Sequence, residues 1–317
     1  MMKKKKILLF GSGYMANEYL KVLKALSCDV FIIGRNRQKV KALADSYGFK
    51  GCGGGTSGLK NVDCGDFDWV INAVPVDKLF EVTSACVQHG LSNILIEKPG
   101  ALNLNELNAL KKKEKKGINI RVACNRRFYG SVQALRERIK EDGGIVGCFF
   151  DFTDREKDIF EAAKGSSFVD RWGWANSMHV IDLAFHLIGL PQQIKTFRDA
   201  GWKFHPTGNV FTGSGRSEKS LFSYYSTWSG GGRWAVEIST PEGRYKLSPL
   251  EKLAFCKKNQ FNWEEKEFAM EHDTQFKPGL YKMVNEVILN NRPNTLPTLD
   301  EQIRLYKVTQ KIFGYEN

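Results

Sequence analysis

The first sixteen residues constrain this chain more than any other stretch. Ile7-Leu8-Leu9-Phe10 is a short, wholly apolar run. Gly11-Ser12-Gly13-Tyr14-Met15-Ala16 follows at once, and apolar residues then recur at Tyr19, Leu20, Leu23 and Leu26 with helical spacing. An apolar strand, a GxGxxA turn and a helix in immediate succession form the opening of a doubly wound α/β sheet. Gly11 permits the tight turn, Gly13 lets an anionic group approach the backbone at the helix N-terminus, and Ala16 keeps helix and strand close.

The alternation continues. Strands are expected at 29–33, 68–74, 93–96 and 118–124, with helices at about 37–47, 76–89 and 103–116 between them. A poor third strand is expected near the glycine-rich stretch Gly51–Gly58. That stretch reads as a loose surface loop, since Leu59 stands where a phosphate loop needs lysine. Ligands bind such sheets at the C-terminal ends of strands, where Gly11, Arg35, Pro75 and Lys98 all fall.

Past Cys124 the pattern changes. A helix near 131–139 and a strand at 147–153 lead to a polar loop, Asp154–Trp174. Asn176–Gly189 then reads as a helix that is apolar nearly all round, capped by Ser177 and stopped by Gly189 and Pro191. His179, Asp182 and His186 fall within roughly 60° of one another on it. A buried carboxylate beside two imidazoles is costly unless paired or used. These three could hold a metal, but no further carboxylates accompany them, so no metal is expected.

After Pro191, strands at about 192–198, 219–228, 233–240, 243–248 and 252–258 suggest an open, largely antiparallel sheet, and helices at about 280–289 and 299–313 close the chain. The expected division is 1–122, a dinucleotide-binding Rossmann domain, and 123–317, an α/β domain for substrate binding and oligomerisation. The last helix is expected to pack back on the first domain.

Bulk properties exclude several classes. No apolar run reaches membrane-spanning length, and the run after Lys3–Lys6 is too short for a signal peptide, so a cytoplasmic protein is expected. Seven dispersed cysteines argue for reduced thiols. The net charge of +12 comes without a nucleic-acid motif and suits an anionic small molecule equally well.

Five features now stand in order: GSGYMA, Ala73-Val74-Pro75, Glu97-Lys98-Pro99, Asn125-Arg126-Arg127-Phe128, and Asp182-x-x-x-His186. Together they resemble the glucose–fructose oxidoreductase/inositol dehydrogenase (Gfo/Idh/MocA) family across almost the whole chain, including Ser239–Leu247 in the second sheet. The resemblance implies a nicotinamide cofactor, a cis Lys98–Pro99 peptide, and a carbinol surrounded by Lys98, Asp182 and His186. The cofactor would rest on Gly11, Gly13, Tyr14, Met15, Ala16, Arg35, Asn36, Ala73, Val74, Pro75, Glu97 and Lys98. Arg127, Tyr129, Trp174 and His179 are expected at the substrate.

The expected activity is hydride transfer between nicotinamide and a secondary alcohol or ketone of a sugar, cyclitol or sugar derivative, nucleotide-linked ones included. The alternative is a catalytically silent NADP-binding regulator, which would have no need of a base. His186 is the candidate base because an ordinary imidazole titrates near neutrality. Gly34-Arg35-Asn36-Arg37 offers no acid for the adenosine ribose, which favours NADP over NAD, although Arg35 stacked on adenine suits NAD too. Phe222, Tyr224, Tyr225, Trp228 and Trp234 suggest an aromatic outer sheet face through which the chain forms a dimer or tetramer.

Overall fold

The computed structural model describes residues 4–114, 117–164, 168–199, 202, 205–232 and 234–316. Expectations that involve Met1–Lys3, Lys115, Lys116, residues 165–167 and Arg233 lie outside them. The chain divides into two compact units, 1–124 with 275–303, and 125–274 with 304–317. The first boundary lies two residues from the expected one, whereas 275–303 belongs with the first unit.

In the first unit, six parallel strands stand in the order Lys50–Cys52, Asp29–Ile33, Lys6–Phe10, Trp69–Asn72, Asn93–Glu97 and Asn119–Ala123. The strand order reverses between Lys6–Phe10 and Trp69–Asn72, so a crevice opens beyond their C-terminal ends. Ile7, Leu8, Leu9, Ile94, Leu95 and Ile96 are fully buried, as strands covered on both faces require. The helix Leu280–Val284 continues as a π-helical turn, Asn285–Leu289, and packs on the helix Tyr14–Ala25.

The second unit holds an eight-stranded sheet, antiparallel except where Gly147–Asp151 pairs in parallel with Leu221–Thr227. The helix Met178–Ile188 packs on Gly147–Asp151 and Ala235–Thr240. Two strands of the sheet carry no strand pattern in the sequence, the short Glu264–Glu265 and the longer Val210–Ser217. Its glycines look like turn formers, but they make room. A Cβ on Gly213 would meet the Tyr224 ring, with Cζ at 2.6 Å, and one on Gly215 would meet Phe222 Cζ at 2.8 Å.

Two expectations are corrected here. Phe222, Tyr224 and Trp228 do not form an outer face. They point inward, where Phe150 stacks on Tyr224 at 5.4 Å and Phe185 meets Phe222 edge-on at 5.3 Å. Leu221, Ser223 and Tyr225 alternate outward instead, and only Tyr225 of the expected aromatics is exposed. The stretch Asp154–Trp174 is not all loop. It contains the helix Glu156–Ala163, in which buried Ile159 gives too little apolar signal among the charges. Among the described residues no helix is long and apolar enough to cross a membrane.

Candidate functional site

A cavity of about 560 Å³ opens at the strand ends of the first unit. Gly11, Gly13, Tyr14, Met15, Arg35, Asn36, Ala73, Val74 and Pro75 all line it. Gly11 has φ +126°, and a Cβ there would sit 2.6 Å from the Ala73 carbonyl oxygen, so no other residue fits. A Cβ on Gly13 would meet nothing within 4 Å, which leaves open space against the backbone. The helix Tyr14–Ala25 starts there without a side-chain cap or an acid in its first turn. Its first N–H groups therefore suit a pyrophosphate. Ala16 is fully buried between that helix and the strand.

The wall beside Arg35 was only partly legible. Gly54 and Gly55, both with positive φ, and Thr56 line the cavity. Gly54 N–H donates to Arg35 O at 3.3 Å, and Gly55 N–H to Gly34 O at 3.0 Å. The glycine-rich stretch is thus a built wall and not a loose loop. Lys39 and Lys78 line the cavity with Arg35, whereas Arg37 does not; its Cβ is 2.8 Å from where a Cβ on Gly53 would sit. Asn36 caps the helix Arg37–Tyr47, accepting from Lys39 N–H at 2.9 Å.

Lys98 and Glu97 lie outside the cavity lining. Glu97 is buried and accepts a hydrogen bond from the Tyr19 hydroxyl at 2.8 Å, while burial and this carboxylate push the Tyr19 phenol well above its usual range. Lys98 is half-buried. The Lys98–Pro99 peptide is cis, as expected, and Gln302 Nε2 donates to Pro99 O at 3.1 Å.

In the second unit the polar stripe is real, but its partner was unforeseen. Arg127 grips Asp182 bidentately, Nε to Oδ2 at 2.9 Å and NH2 to Oδ1 at 2.6 Å. Asp182 is almost wholly buried and Arg127 mostly so. His186 lies one turn on, and its pKa is pushed down to about 3 by burial first and the Arg127 cation second, against the pull of Asp182. An ordinary imidazole titrates near neutrality, whereas this one stays neutral well below it.

Ser177 does not cap this helix. It is itself helical, because a π-helical segment, Gly173–Ser177, runs straight into Met178–Ile188. Gly189 closes the helix with φ +82°, as expected. The ring of buried His179 lies 5.7 Å from that of Trp234. Tyr129, Arg126, Asp154 and Trp234 line a second cavity of about 430 Å³. Trp174 is fully buried, edge-on to Tyr306 at 4.7 Å. Buried His205 sits in the aromatic core, its Nε2 3.1 Å from the Tyr315 hydroxyl.

Residues 5–123 match the family described as oxidoreductase family, NAD-binding Rossmann fold (Gfo/Idh/MocA). That match spans the Rossmann unit and less than half of the chain. Several solved structures share the two-domain fold over nearly the whole chain. UDP-N-acetylglucosamine 3-dehydrogenase GnnA from Acidithiobacillus ferrooxidans is 15% identical, with 99% of this chain and 98% of that one covered and a TM-score of 0.75. The dehydrogenase MviM from Clostridium difficile is 17% identical over 98% and 99%, with a TM-score of 0.78. A levoglucosan dehydrogenase, solved with NADH and levoglucosan, is 16% identical over 98% and 96%, with a TM-score of 0.76. At these identities the likeness shows the fold. No curated protein sequence matches this chain.

Proposed function

We propose that this chain is an NAD(P)-dependent oxidoreductase that transfers a hydride between nicotinamide and a secondary alcohol or ketone of a sugar, cyclitol or sugar derivative. The observation that carries the reading is the pairing of an NAD-binding family fold with a buried stripe on which Asp182 is locked by Arg127 and His186 is kept neutral. Sugar and nucleotide-sugar dehydrogenases among the structural neighbours support the substrate class. The nicotinamide, when bound, takes or supplies the hydride. His186 takes the hydroxyl proton, which a neutral imidazole can do at any pH above about 3, though a pKa this low weakens the drive. Asp182 orients His186 or a neighbouring substrate hydroxyl. Lys98 hydrogen-bonds the carbinol oxygen and stabilises the charge that develops on it.

The test is a screen of sugars, levoglucosan and UDP-N-acetylglucosamine among them, with NAD⁺ and NADP⁺, following the reduced nicotinamide band. Turnover of at least one supports the reading. Tight cofactor binding with no turnover of any would replace it with a silent binding protein.

For the cofactor we propose NADP over NAD. Arg35, Lys39 and Lys78 line the cavity, and the acid there, Glu81, is paired with Lys78 at 3.6 Å. Nothing at the end of Asp29–Ile33 repels a 2′-phosphate. NADPH is expected to bind tighter than NADH. Arg35→Ala should shrink that preference roughly 10–100-fold, the effect of losing a charged partner worth about 1.5–3 kcal/mol. Dissociation constants from nicotinamide fluorescence decide it; a ratio untouched by Arg35→Ala assigns the arginine to adenine stacking.

A further inference from the structure

Asp154 lies just past the strand Gly147–Asp151, and its carboxylate collects four side chains. Trp172 Nε1 donates to Oδ2 at 2.9 Å and Trp234 Nε1 to Oδ1 at 3.0 Å. Ser177 Oγ donates to Oδ2 at 3.2 Å, and Asn176 Nδ2 approaches both oxygens at 3.3 and 3.4 Å. All four donors are neutral, and each is satisfied best by an ionised carboxylate. Burial pushes the carboxyl upward and the four donors pull it back.

The donors come from two places that matter. Asn176 and Ser177 end the π-helical segment Gly173–Ser177, which continues without a break into Met178–Ile188. A π turn inserts extra backbone relative to an α turn, so its position sets the rotation of everything after it. Asp182 and His186 lie on that helix. Trp234 lines the second cavity, with the Arg126 guanidinium 5.3 Å from its ring on one side and the His179 ring nearby.

We propose that Asp154 is a positioning residue: by holding Asn176 and Ser177 it fixes the π turn, and with it the rotation of the helix that presents Asp182 and His186, while by holding Trp234 it fixes the cavity wall. The kinetic consequence rests on the reading of His186 and Asp182 given under Proposed function; the structural consequence does not.

Asp154→Asn keeps the shape of the side chain but turns an amide NH₂ toward donors. Ser177→Ala removes one donor and leaves the carboxylate. In the cofactor-free protein, nitrogen–proton spectra should show the Trp172 and Trp234 indole N–H signals moving in Asp154→Asn, together with the His186 imidazole signals, while melting stays cooperative. Ser177→Ala should move the His186 signals the same way by less. Unchanged His186 signals in both variants would overturn the proposal. With a sugar that turns over, Asp154→Asn should lower kcat about 10–100-fold, the scale of a misplaced reacting group, and leave the NADPH dissociation constant alone. Wild-type kcat in Asp154→Asn would also overturn it. If the wild-type protein turns over no sugar, the functional reading falls and the spectra still decide Asp154.

Discussion

His186→Ala and Lys98→Ala each lower turnover by roughly 10²–10⁴-fold, the span expected when a proton-transfer group or an oxyanion partner is lost. Neither residue lines the cavity of the first unit, so the cofactor dissociation constant should hold in both variants. The two losses should share a signature, a fall that is flat with pH near neutrality. Lys98→Ala removes a charge that stabilises developing negative oxygen, so kcat falls at every pH. His186→Ala removes an acceptor that stays neutral down to about pH 3, so its loss carries no acidic limb near neutrality. Steady-state rates across pH 5–9 check both, and near-normal turnover in both variants would return the polar stripe to a structural role.

What the sequence made legible follows from range. Gly11 and Gly13 act on their own neighbours, so a short stretch suffices to read them, and the parallel sheet follows from the alternation of apolar runs with helical spacing. Val210–Ser217 escaped because its glycines answer to Phe222 and Tyr224 on the next strand, not to a turn. Gly54 and Gly55 escaped because their bonds go to Gly34 and Arg35, across the sheet end. The Asp182 stripe was visible at helical spacing, yet its partner Arg127 lies 55 residues earlier, and no local pattern couples them. The misjudged His186 has the same origin. Its ordinary pKa is a property of the residue, while burial and the Arg127 charge are properties of the fold.

Arg127→Leu should be strongly destabilising, by about 3–5 kcal/mol, because it leaves the Asp182 carboxylate buried without its bidentate partner. Replacing both, as Arg127→Leu with Asp182→Leu, should recover much of that loss, since the buried charge disappears with its partner. The same variant moves the titration of His186. With the cation gone, burial still holds the pKa down, but Asp182 now pulls it up unopposed by Arg127, so it rises above about 3. The sign for the wild-type protein is fixed by the depressed value. Below pH 6.5 the unfolded chain takes up a proton at this histidine that the folded chain refuses until about pH 3. Wild-type stability therefore drops as the pH is lowered across that window, by at most about 1.4 kcal/mol per pH unit from this group. In Arg127→Leu the window should shrink from its acidic side, and the fall attributable to His186 should shrink with it. Urea unfolding at pH 7, 6, 5 and 4 for wild type, Arg127→Leu, His186→Ala and the Arg127→Leu/Asp182→Leu double variant separates the contributions. A slope with pH that is the same in wild type and His186→Ala would sink the assignment of a neutral, half-buried imidazole, and an Arg127→Leu protein as stable as wild type at pH 7 would show that the ion pair is not what holds Asp182 in place.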